Sequence, residues 1–247
     1  MVAGTVTPAM NEPGILIVWT GITEERDALF NGWYNRQHLS ERTNVPGFCN
    51  GRRYKAVEGS PAYLAWYELE SPAVFTSAPY AERQNNPTGW TQAVMPGFRD
   101  VTRVAGVVKA RLGQGLGGAC ASWRLTPAAG AEAGLTAWLA DEVLPALLAD
   151  NTGVLGAVLA APLAASADAG ATSNETRMRA QPDNPPCWGL LVECADLETA
   201  RAVQAGLDPT SLATRGVLRS EPGIYALVTA VGRFDNQPGP DPKDLSP

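Results

Sequence analysis

The sequence contains a single histidine, His38, in the stretch FNGWYNRQHLSERTNVPGF. Imidazole is the side chain whose charge changes most readily near neutral pH, which makes His38 the first candidate for acid–base chemistry. Tyr34 precedes it by four residues and Glu41 follows it by three, so on a helix the three side chains share one face. This spacing predicts that His38 moves a proton while Tyr34 and Glu41 orient or assist it.

The same histidine also has a structural interpretation. It lies near the end of a predicted helix, shortly before Pro46 and Gly47. An imidazole in that position can hydrogen-bond a free carbonyl or favour the negative end of the helix dipole. The helix face alone does not choose between the catalytic and the structural role.

Aromatic residues are concentrated in the first half of the chain. Such a cluster beside a histidine is typical of a pocket for an aromatic ligand, although core filling is the alternative. Arg52 and Tyr54 are expected on one face of a strand, since alternate residues share a face. Arg53 takes the other face, and the arginine that faces inward would form a salt bridge with Glu41 or Glu68, the interpretation we favour, or hold a substrate carboxylate or enolate. The candidate binding residues are Trp33, Arg52, Tyr54, Trp66, Tyr67 and Trp90.

The chain does not contain the sequence motifs of several common kinds of enzyme. The chain has no G-x-S-x-G, no phosphate-binding loop and no dinucleotide-binding glycine motif between a strand and a helix. The cysteines are not spaced as C-x-x-C, and one histidine cannot complete a usual zinc site, so no metal is expected. We expect buried, reduced thiols in a cytoplasmic protein. The cysteines are Cys49, Cys120, Cys187 and Cys194.

Composition and charge argue against a large polyanion as the partner, and we expect a small-molecule substrate instead. Of the 247 residues, 45% are hydrophobic and 18% charged, as in a folded globular protein. The net charge of -6 argues against nucleic acids and anionic membranes, which attract basic surfaces. No apolar run reaches the roughly 18 residues of a membrane span, and the N-terminus does not resemble a signal peptide.

Strand and helix patterns occur in the same order in both halves of the chain. In residues 14–112, the β-rich runs GILIVWTGI, FCNGRRYKAV, AYLAWYELE and DVTRVAGVVKARL are separated by helical patterns in the order βαββαβ. This order predicts a ferredoxin-like unit. Residues 119–235 repeat it, with Trp138 in the place of Trp33 and Val143 in the place of His38. The chain is therefore predicted to be a duplication that carries the candidate chemistry in its first copy.

The segments outside this repeat are expected to be links or ends. Residues 113–118 form a glycine-rich link, and residues 164–186 are a polar insert that we expect to be an exposed, mobile loop. Residues 1–13 are expected to be a flexible leader and 236–247 a disordered tail. Each four-stranded sheet would leave one apolar face bare, so the two halves are predicted to form one α+β barrel. A homodimer of two such barrels is an alternative to a monomer.

The first half resembles bacterial proteins of the dimeric α+β-barrel superfamily, and especially its EthD-like branch. The resemblance rests on W-Y-x-x-x-H-x-x-E-R at residues 33–42 and P-G-F at residues 46–48, followed by YLAWYELESP, SAPY and NPTGWT. It covers residues 14–112, whereas the second half matches only in architecture. It implies that one chain forms the barrel that two chains form in those proteins. The acidic residues that commonly flank this histidine are replaced by Asn35, Arg36 and Gln37.

The resemblance also implies a range of activities. It includes cyclases, decarboxylases, isomerases and monooxygenases that act without a cofactor on aromatic or polyketide-like compounds, and haem enzymes in some branches. We expect a cofactor-independent lyase, isomerase or cyclase, or a monooxygenase, acting on a small aromatic or carbonyl-bearing substrate through His38. A non-catalytic small-molecule binding or scaffold barrel is the alternative. A haem enzyme with His38 as ligand is the second alternative, which requires a large apolar cavity beside the ring.

Overall fold

The computed structural model describes residues 12–164 and 169–232, and within them eight strands close into an antiparallel barrel. The strands are apolar on both faces because one face lines the barrel interior and the other packs against helices. They are β1 (Gly14–Ile22), β2 (Phe48–Glu58), β3 (Tyr63–Leu69), β4 (Phe98–Gly113), β5 (Ala119–Pro127), β6 (Val154–Pro162), β7 (Trp188–Cys194) and β8 (Val217–Gly232).

The strand order shows how the two halves build the barrel. It is β1-β3-β2-β8-β5-β7-β6-β4, so each half contributes four adjacent strands in the ferredoxin-like order. The halves are joined by antiparallel pairing of β2 with β8 and of β4 with β6. This confirms the predicted barrel of two βαββαβ halves within one chain. The halves meet edge to edge through backbone hydrogen bonds, in addition to the face-to-face packing that their apolar faces predict.

Short helices cover the outside of the barrel. Side chains of Ser77, Thr88 and Asp196 accept backbone hydrogen bonds at three of their N-termini and so fix where those helices begin. The first-half helices are α1 (Asp27–Trp33), α2 (Leu39–Thr43), α3 (Ala78–Asn85) and α4 (Gly89–Val94). The second-half helices are α5 (Glu132–Trp138), α6 (Leu144–Asp150), α7 (Asn174–Arg177), α8 (Leu197–Gly206) and α9 (Pro209–Thr214).

Apolar packing is divided between the barrel interior and a helix–sheet layer on each half. The interior contains Trp19, Tyr54 and Trp66, and the indole Nε1 of Trp19 donates to Ser122 Oγ of the other half at 2.9 Å. The first-half layer between helices and sheet is the more aromatic of the two layers. His38 lies in that layer, so the fold places the candidate site outside the barrel rather than within it.

A π turn interrupts the first long helical stretch of each half at the same place. Tyr34–His38 separates α1 from α2, and Leu139–Val143 separates α5 from α6. The apolar spacing predicts one continuous α-helix in each half. The structure differs from this prediction, because a π turn, which is wider than an α-helical turn, divides each helix in two. Each π turn directly follows the tryptophan that the duplication aligns, Trp33 or Trp138. The two copies are therefore in register residue by residue.

The insert between β6 and β7 packs against the first half, although its polar composition predicts an exposed, mobile loop. Its described part contains a 3-10 turn at Ala169–Thr172 and the short helix α7. Ser173 and Glu175 are buried, and the backbone N–H of Asn184 donates to the carbonyl of Val101 at 2.7 Å. Many of its other residues are exposed, so the described part is a loop that is docked on the first half through a few buried polar groups.

The glycine-rich link between β4 and β5 is also held tightly. The Gly117 N–H donates to Glu193 Oε2 at 3.2 Å. A Cβ atom on Gly117 would lie only 1.9 Å from the backbone oxygen of Cys194. Glycine is required at this position because the two backbones approach so closely.

The remaining predictions concern the chain ends, the cysteines and the membrane. Of the predicted leader, only Glu12 and Pro13 lie within the described residues, and the predicted tail lies outside them. The four cysteines are free thiols, and all except the half-buried Cys49 are buried. No helix in the described part of the chain is long and apolar enough to cross a membrane.

Candidate functional site

His38 lies in a buried aromatic cluster between the first-half helices and their sheet. It is 8% exposed. Its ring stacks on Trp33 with the ring centroids 4.0 Å apart, and Tyr34 meets it edge to face at 5.0 Å. The π turn allows this stacking, since its wider turn brings residues five apart onto one side of the helix. The indole Nε1 of Trp33 donates to Thr91 Oγ1 at 3.1 Å, which fixes the ring on which the imidazole rests.

Glu41 gives the imidazole a carboxylate neighbour. Its Oε2 lies 3.6 Å from His38 Nδ1, and its Oε1 accepts a hydrogen bond from Arg83 Nη1 at 3.0 Å. Burial would raise the pKa of Glu41, but contacts with His38, Arg42 and Arg83 outweigh burial and lower it. Burial also lowers the pKa of His38, and the opposing effect of Glu41 is smaller. At neutral pH the site therefore holds a charged carboxylate beside a neutral imidazole.

Two phenols complete the centre of the site. The hydroxyl oxygens of Tyr34 and Tyr67 are 3.3 Å apart. Burial raises the pKa of both, so both are protonated at neutral pH. The guanidinium of Arg53 lies 4.8 Å from the Tyr34 ring centroid, and Asn31 and Asn35 hold it through their side-chain oxygens. Protonated phenols beside a positive charge can donate hydrogen bonds to an oxygen that becomes negative during a reaction.

A small cavity reaches this group of residues. Its volume is about 30 Å³, which is room for about one water molecule. Leu16, Val18, Met95 and Phe98 form its apolar wall. Its polar lining includes Tyr34, His38, Arg42, Tyr67, Arg103 and Glu175. The cavity reaches the His38 ring, so the ring is not packed on every side, but an organic substrate would fit only if the residues that cover the cavity moved.

Arg42 and Glu175 form a buried ion pair beside the cavity. Arg42 ends the motif W-Y-x-x-x-H-x-x-E-R but was given no role in the site, and Glu175 was not among the candidate residues. Arg42 Nη2 donates to Glu175 Oε2. Arg42 follows His38 by four residues, so helical spacing could have drawn attention to it. Glu175 comes from the insert, 133 residues further along the chain, and no local pattern signals it. Arg103 of β4 is also a new member of the site, and its Nη2 donates to the Tyr80 hydroxyl at 2.8 Å.

Three of the predicted binding residues lie elsewhere. Arg52, Tyr54 and Trp66 face the barrel interior, where Tyr54 and Arg52 donate to Glu193 Oε1 at 2.5 and 2.9 Å. The guanidinium of Arg52 also lies 4.1 Å from the Trp66 ring centroid. Alternate residues of a strand face opposite sides, so Trp66 faces the barrel while its neighbour Tyr67 faces His38. The structure thus separates these three residues from the candidate catalytic group.

The other predicted binding residues share the helix–sheet core with His38. Trp33 stacks on the imidazole, and Tyr67 lines the cavity. Trp90 packs beside Gly32 of α1 and does not line the cavity. Within the described residues, no cluster of three or more His, Cys, Asp or Glu side chains is placed to hold a metal ion.

Comparison of the chain with known proteins finds similarity in structure alone. No protein-family model and no curated protein matches the sequence. An anthrone oxidase-like protein superposes with a TM-score of 0.62 at 11% identity, over 92% of this chain and 95% of the other. A candidate monooxygenase from Fusobacterium nucleatum gives 0.58 at 8% identity, over 91% and 96%. A candidate chlorite dismutase gives 0.53 at 12% identity, over 89% and 96%.

These similar structures correct the expectation that the protein has no cofactor. They include the candidate chlorite dismutase, so the prediction of a cofactor-free protein is wrong and haem is the group to test. Whether haem suits this chain depends on its own residues.

The site residues supply a ligand for haem but not the space. A neutral imidazole with a carboxylate near its second nitrogen is a common arrangement of metal-binding histidines, and His38 with Glu41 has it. The cavity beside His38 has about 30 Å³, whereas pockets for ligands of this size have about 300–1,000 Å³. Trp33 covers the ring, and the Arg42–Glu175 pair fills the space next to the cavity. Haem therefore does not fit the site in the arrangement that the structure shows, in which Glu175 is paired with Arg42; we call this the closed arrangement.

Proposed function

We propose that this chain, which has the fold of the dimeric α+β-barrel superfamily, is an enzyme that transfers protons on a small aromatic or carbonyl-bearing compound. The observation that carries the proposal is a buried, neutral imidazole between a stacked indole and a cavity, with a charged carboxylate 3.6 Å from its Nδ1. A neutral imidazole accepts a proton, and a nearby carboxylate stabilises the imidazolium that forms.

The reaction would begin at a carbon next to the substrate carbonyl. His38 takes a proton from that carbon, and the electron pair of the broken C–H bond moves into an enolate. Tyr34 or Tyr67 donates a hydrogen bond to the enolate oxygen, which lowers the energy of the negative charge. In a substrate with a carbon–carbon double bond conjugated to the enolate, His38 then returns the proton to the far carbon of that double bond, which completes an isomerisation. In a substrate with a leaving group on the β-carbon, the enolate expels that group and forms a double bond, which completes an elimination.

Two neighbouring residues keep the base in position. Arg83 holds one carboxylate oxygen of Glu41 at 3.0 Å, so the other oxygen stays directed at the imidazole. Trp33, itself fixed by Thr91, restricts rotation of the His38 ring. A base held in one orientation loses little entropy when the substrate arrives.

The test measures deuterium exchange next to a carbonyl by NMR in heavy water. Phenylacetone and phenylpyruvate are suitable probes because each carries an aromatic ring and acidic C–H bonds beside a carbonyl. We expect the wild-type chain to accelerate exchange into at least one of them. His38→Gln should slow this exchange by about 10²–10⁴-fold, the usual contribution of general acid–base catalysis. Glutamine suits a helix and keeps a hydrogen-bonding group, so the variant should fold.

Tyr54→Phe is the matched control. It removes one polar group from the barrel interior, away from His38, and should leave the exchange rate unchanged. A melting curve for each protein separates loss of activity from loss of structure. Unchanged exchange in His38→Gln together with a lower melting temperature would make His38 structural. Absence of exchange with both probes would favour a non-catalytic binding barrel.

A further inference from the structure

The buried ion pair of Arg42 and Glu175 does not satisfy its own polar groups. Both side chains are nearly inaccessible, at 3% and 5% exposure. One nitrogen of Arg42, Nη2, bonds one oxygen of Glu175, Oε2. The second nitrogen, Nη1, and the second oxygen, Oε1, have no hydrogen-bond partner among the described residues. A guanidinium usually meets a carboxylate through two parallel hydrogen bonds, so this pair uses half of its capacity.

The cavity beside this pair is rich in positive charge. Arg42, Arg103 and Arg179 line it, and Glu175 is the carboxylate among its described lining residues. Arg179 is paired with Asp183 of the insert, and Arg103 donates to the hydroxyl of Tyr80. If Glu175 moved away, the Arg42 guanidinium would be left buried without a carboxylate bonded to it. A buried unpaired charge is strongly unfavourable, so another anion would be drawn into that position.

The segment that carries Glu175 is short, and its start is held by exposed hydrogen bonds. Helix α7 is four residues long. Asn174 at its start bonds Asn85 of α3 twice, through its backbone N–H at 3.1 Å and its side-chain amide at 2.8 Å, and both bonds are exposed. Exposed hydrogen bonds exchange with water at little net change in free energy, while Met178 after the helix packs on the first-half core. A ligand that replaces the Glu175 carboxylate would therefore mainly have to compensate the buried ion pair with Arg42, which an external carboxylate can do.

We infer that the site takes an organic anion, a carboxylate on an aromatic or apolar body, and that Glu175 occupies the place of that carboxylate in the closed arrangement. The external carboxylate would bond Arg42 through both guanidinium nitrogens, and its apolar body would lie against Leu16, Val18 and Phe98. Arg42 follows His38 by four residues on the same helical stretch, so the anion is held one turn from the base. The inference names the substrate class of the proposed enzyme and rests on that proposal for the role of His38.

The experiment measures equilibrium binding of benzoate, with benzamide as its neutral counterpart, by calorimetry on the full chain. Glu175→Ala removes the internal carboxylate, and we expect it to bind benzoate about tenfold or more tightly than the wild type. Glu175→Gln keeps the volume and removes the charge, so it should show a smaller gain. Adding Arg42→Gln to Glu175→Ala should abolish the gain. Benzamide should show no comparable change in any variant.

The matched control is Glu58→Ala, which removes the carboxylate of an exposed ion pair with Arg201 and should leave benzoate binding as in the wild type. Equal benzoate affinity in the wild type and Glu175→Ala, or equal gains for benzoate and benzamide, would overturn the inference. Should Glu175→Ala fail to fold, Glu175→Gln decides by the same criterion. Benzoate binding that requires Arg42, together with exchange that does not require His38, would refute the proposed reaction and keep the anion site. Exchange of phenylacetone that requires His38, without a gain in benzoate binding, would support the proposed reaction and refute the anion site.

Discussion

The charge state of His38 links the site to the stability of the whole chain. Burial is the largest influence on its pKa and lowers it from the ordinary value of 6.5. The positive charge of Arg42 acts in the same direction, while Glu41 and Glu175 act against it. In the unfolded chain the imidazole is hydrated and takes up a proton more easily. Protonation therefore favours the unfolded state.

We expect the free energy of unfolding to fall as the pH drops below about 6.5, because the unfolded chain then binds a proton that the folded chain binds less readily. The contribution is present above this pH and is lost as the pH falls toward the lowered pKa of the folded state. His38→Gln removes it, so the stability of the wild type relative to this variant should shrink on acidification. Urea unfolding of both proteins at about pH 7.5 and about pH 5.5 measures the difference. Glu41, whose pKa lies below 4.5, stays charged throughout this range. Identical pH dependence in the two proteins would contradict a buried neutral imidazole.

Helical spacing was sufficient to predict the centre of the site but not its surroundings. Tyr34, His38 and Glu41 are close in sequence, so their proximity follows from the helix itself. Glu175 could not be found in this way, because only the tertiary fold brings it to Arg42. Strand alternation showed that Arg52 and Tyr54 share a face, as they do. It could not show that this face is the barrel interior rather than the side of the helices.

The glycine-rich link between the halves is a packed element rather than a flexible one. Gly117 lies against the backbone of β7, and its N–H is one of the partners of the buried carboxylate of Glu193. Burial raises the pKa of Glu193, while Tyr54, Arg52 and Gly117 act in the opposite direction. The link therefore helps to keep a polar group satisfied next to the barrel interior.

Gly117→Ala should destabilise the chain by about 2 kcal/mol or more, since its Cβ would fall 1.9 Å from a backbone oxygen and the link would have to shift. Gly134→Ala is the matched control. Gly134 is an exposed helical residue with no atom within 4 Å of the added Cβ, so the change should stabilise by about 0.5–1 kcal/mol. Chemical unfolding of the two variants measures both effects. If the two variants were equally stable, the link would be able to shift around the added Cβ without a loss of stability.

The insert shows that a polar composition does not reveal where a loop docks. Its serine, asparagine and arginine residues predict a solvated loop, and Asn174 and Asn184 nonetheless bond to residues of the first half. The partner of Asn174 is Asn85, which is 89 residues earlier in the chain. Such pairing depends on the closed barrel, and no pattern within the insert reveals it.

The closed barrel leaves neither half with a free edge where they meet. Strand β2 pairs with β8 and β4 with β6, so each half satisfies the edge strands of the other. The order of strands and helices was predictable from the sequence, because apolar runs and turn residues repeat in both halves. The strand order leaves two edge strands on each four-stranded sheet. Exposed edge strands tend to pair, so the edges of one half are expected to pair with those of the other and close the barrel.

A fragment comprising residues 14–112 should not persist as a monomer, since it would expose two unpaired edges and a bare apolar face. We expect a homodimer or an aggregate in size-exclusion chromatography with light scattering. Mixing it with a fragment comprising residues 119–235 should give a one-to-one complex instead. The full chain under the same conditions is the control. A monomeric, folded fragment 14–112 would contradict the interdependence of the halves.

The helix α7 that covers the His38 site belongs to the second half, and that half has Leu139, Val143 and Ala146 where the first has Tyr34, His38 and Glu41. In a barrel assembled from two identical chains, every substitution occurs twice, and each site would have to tolerate its own copy of the change. In the fused chain a substitution occurs once. The segment above the candidate site and the residues inside it can therefore diverge independently, so one barrel contains one candidate site together with one separately adjustable cover.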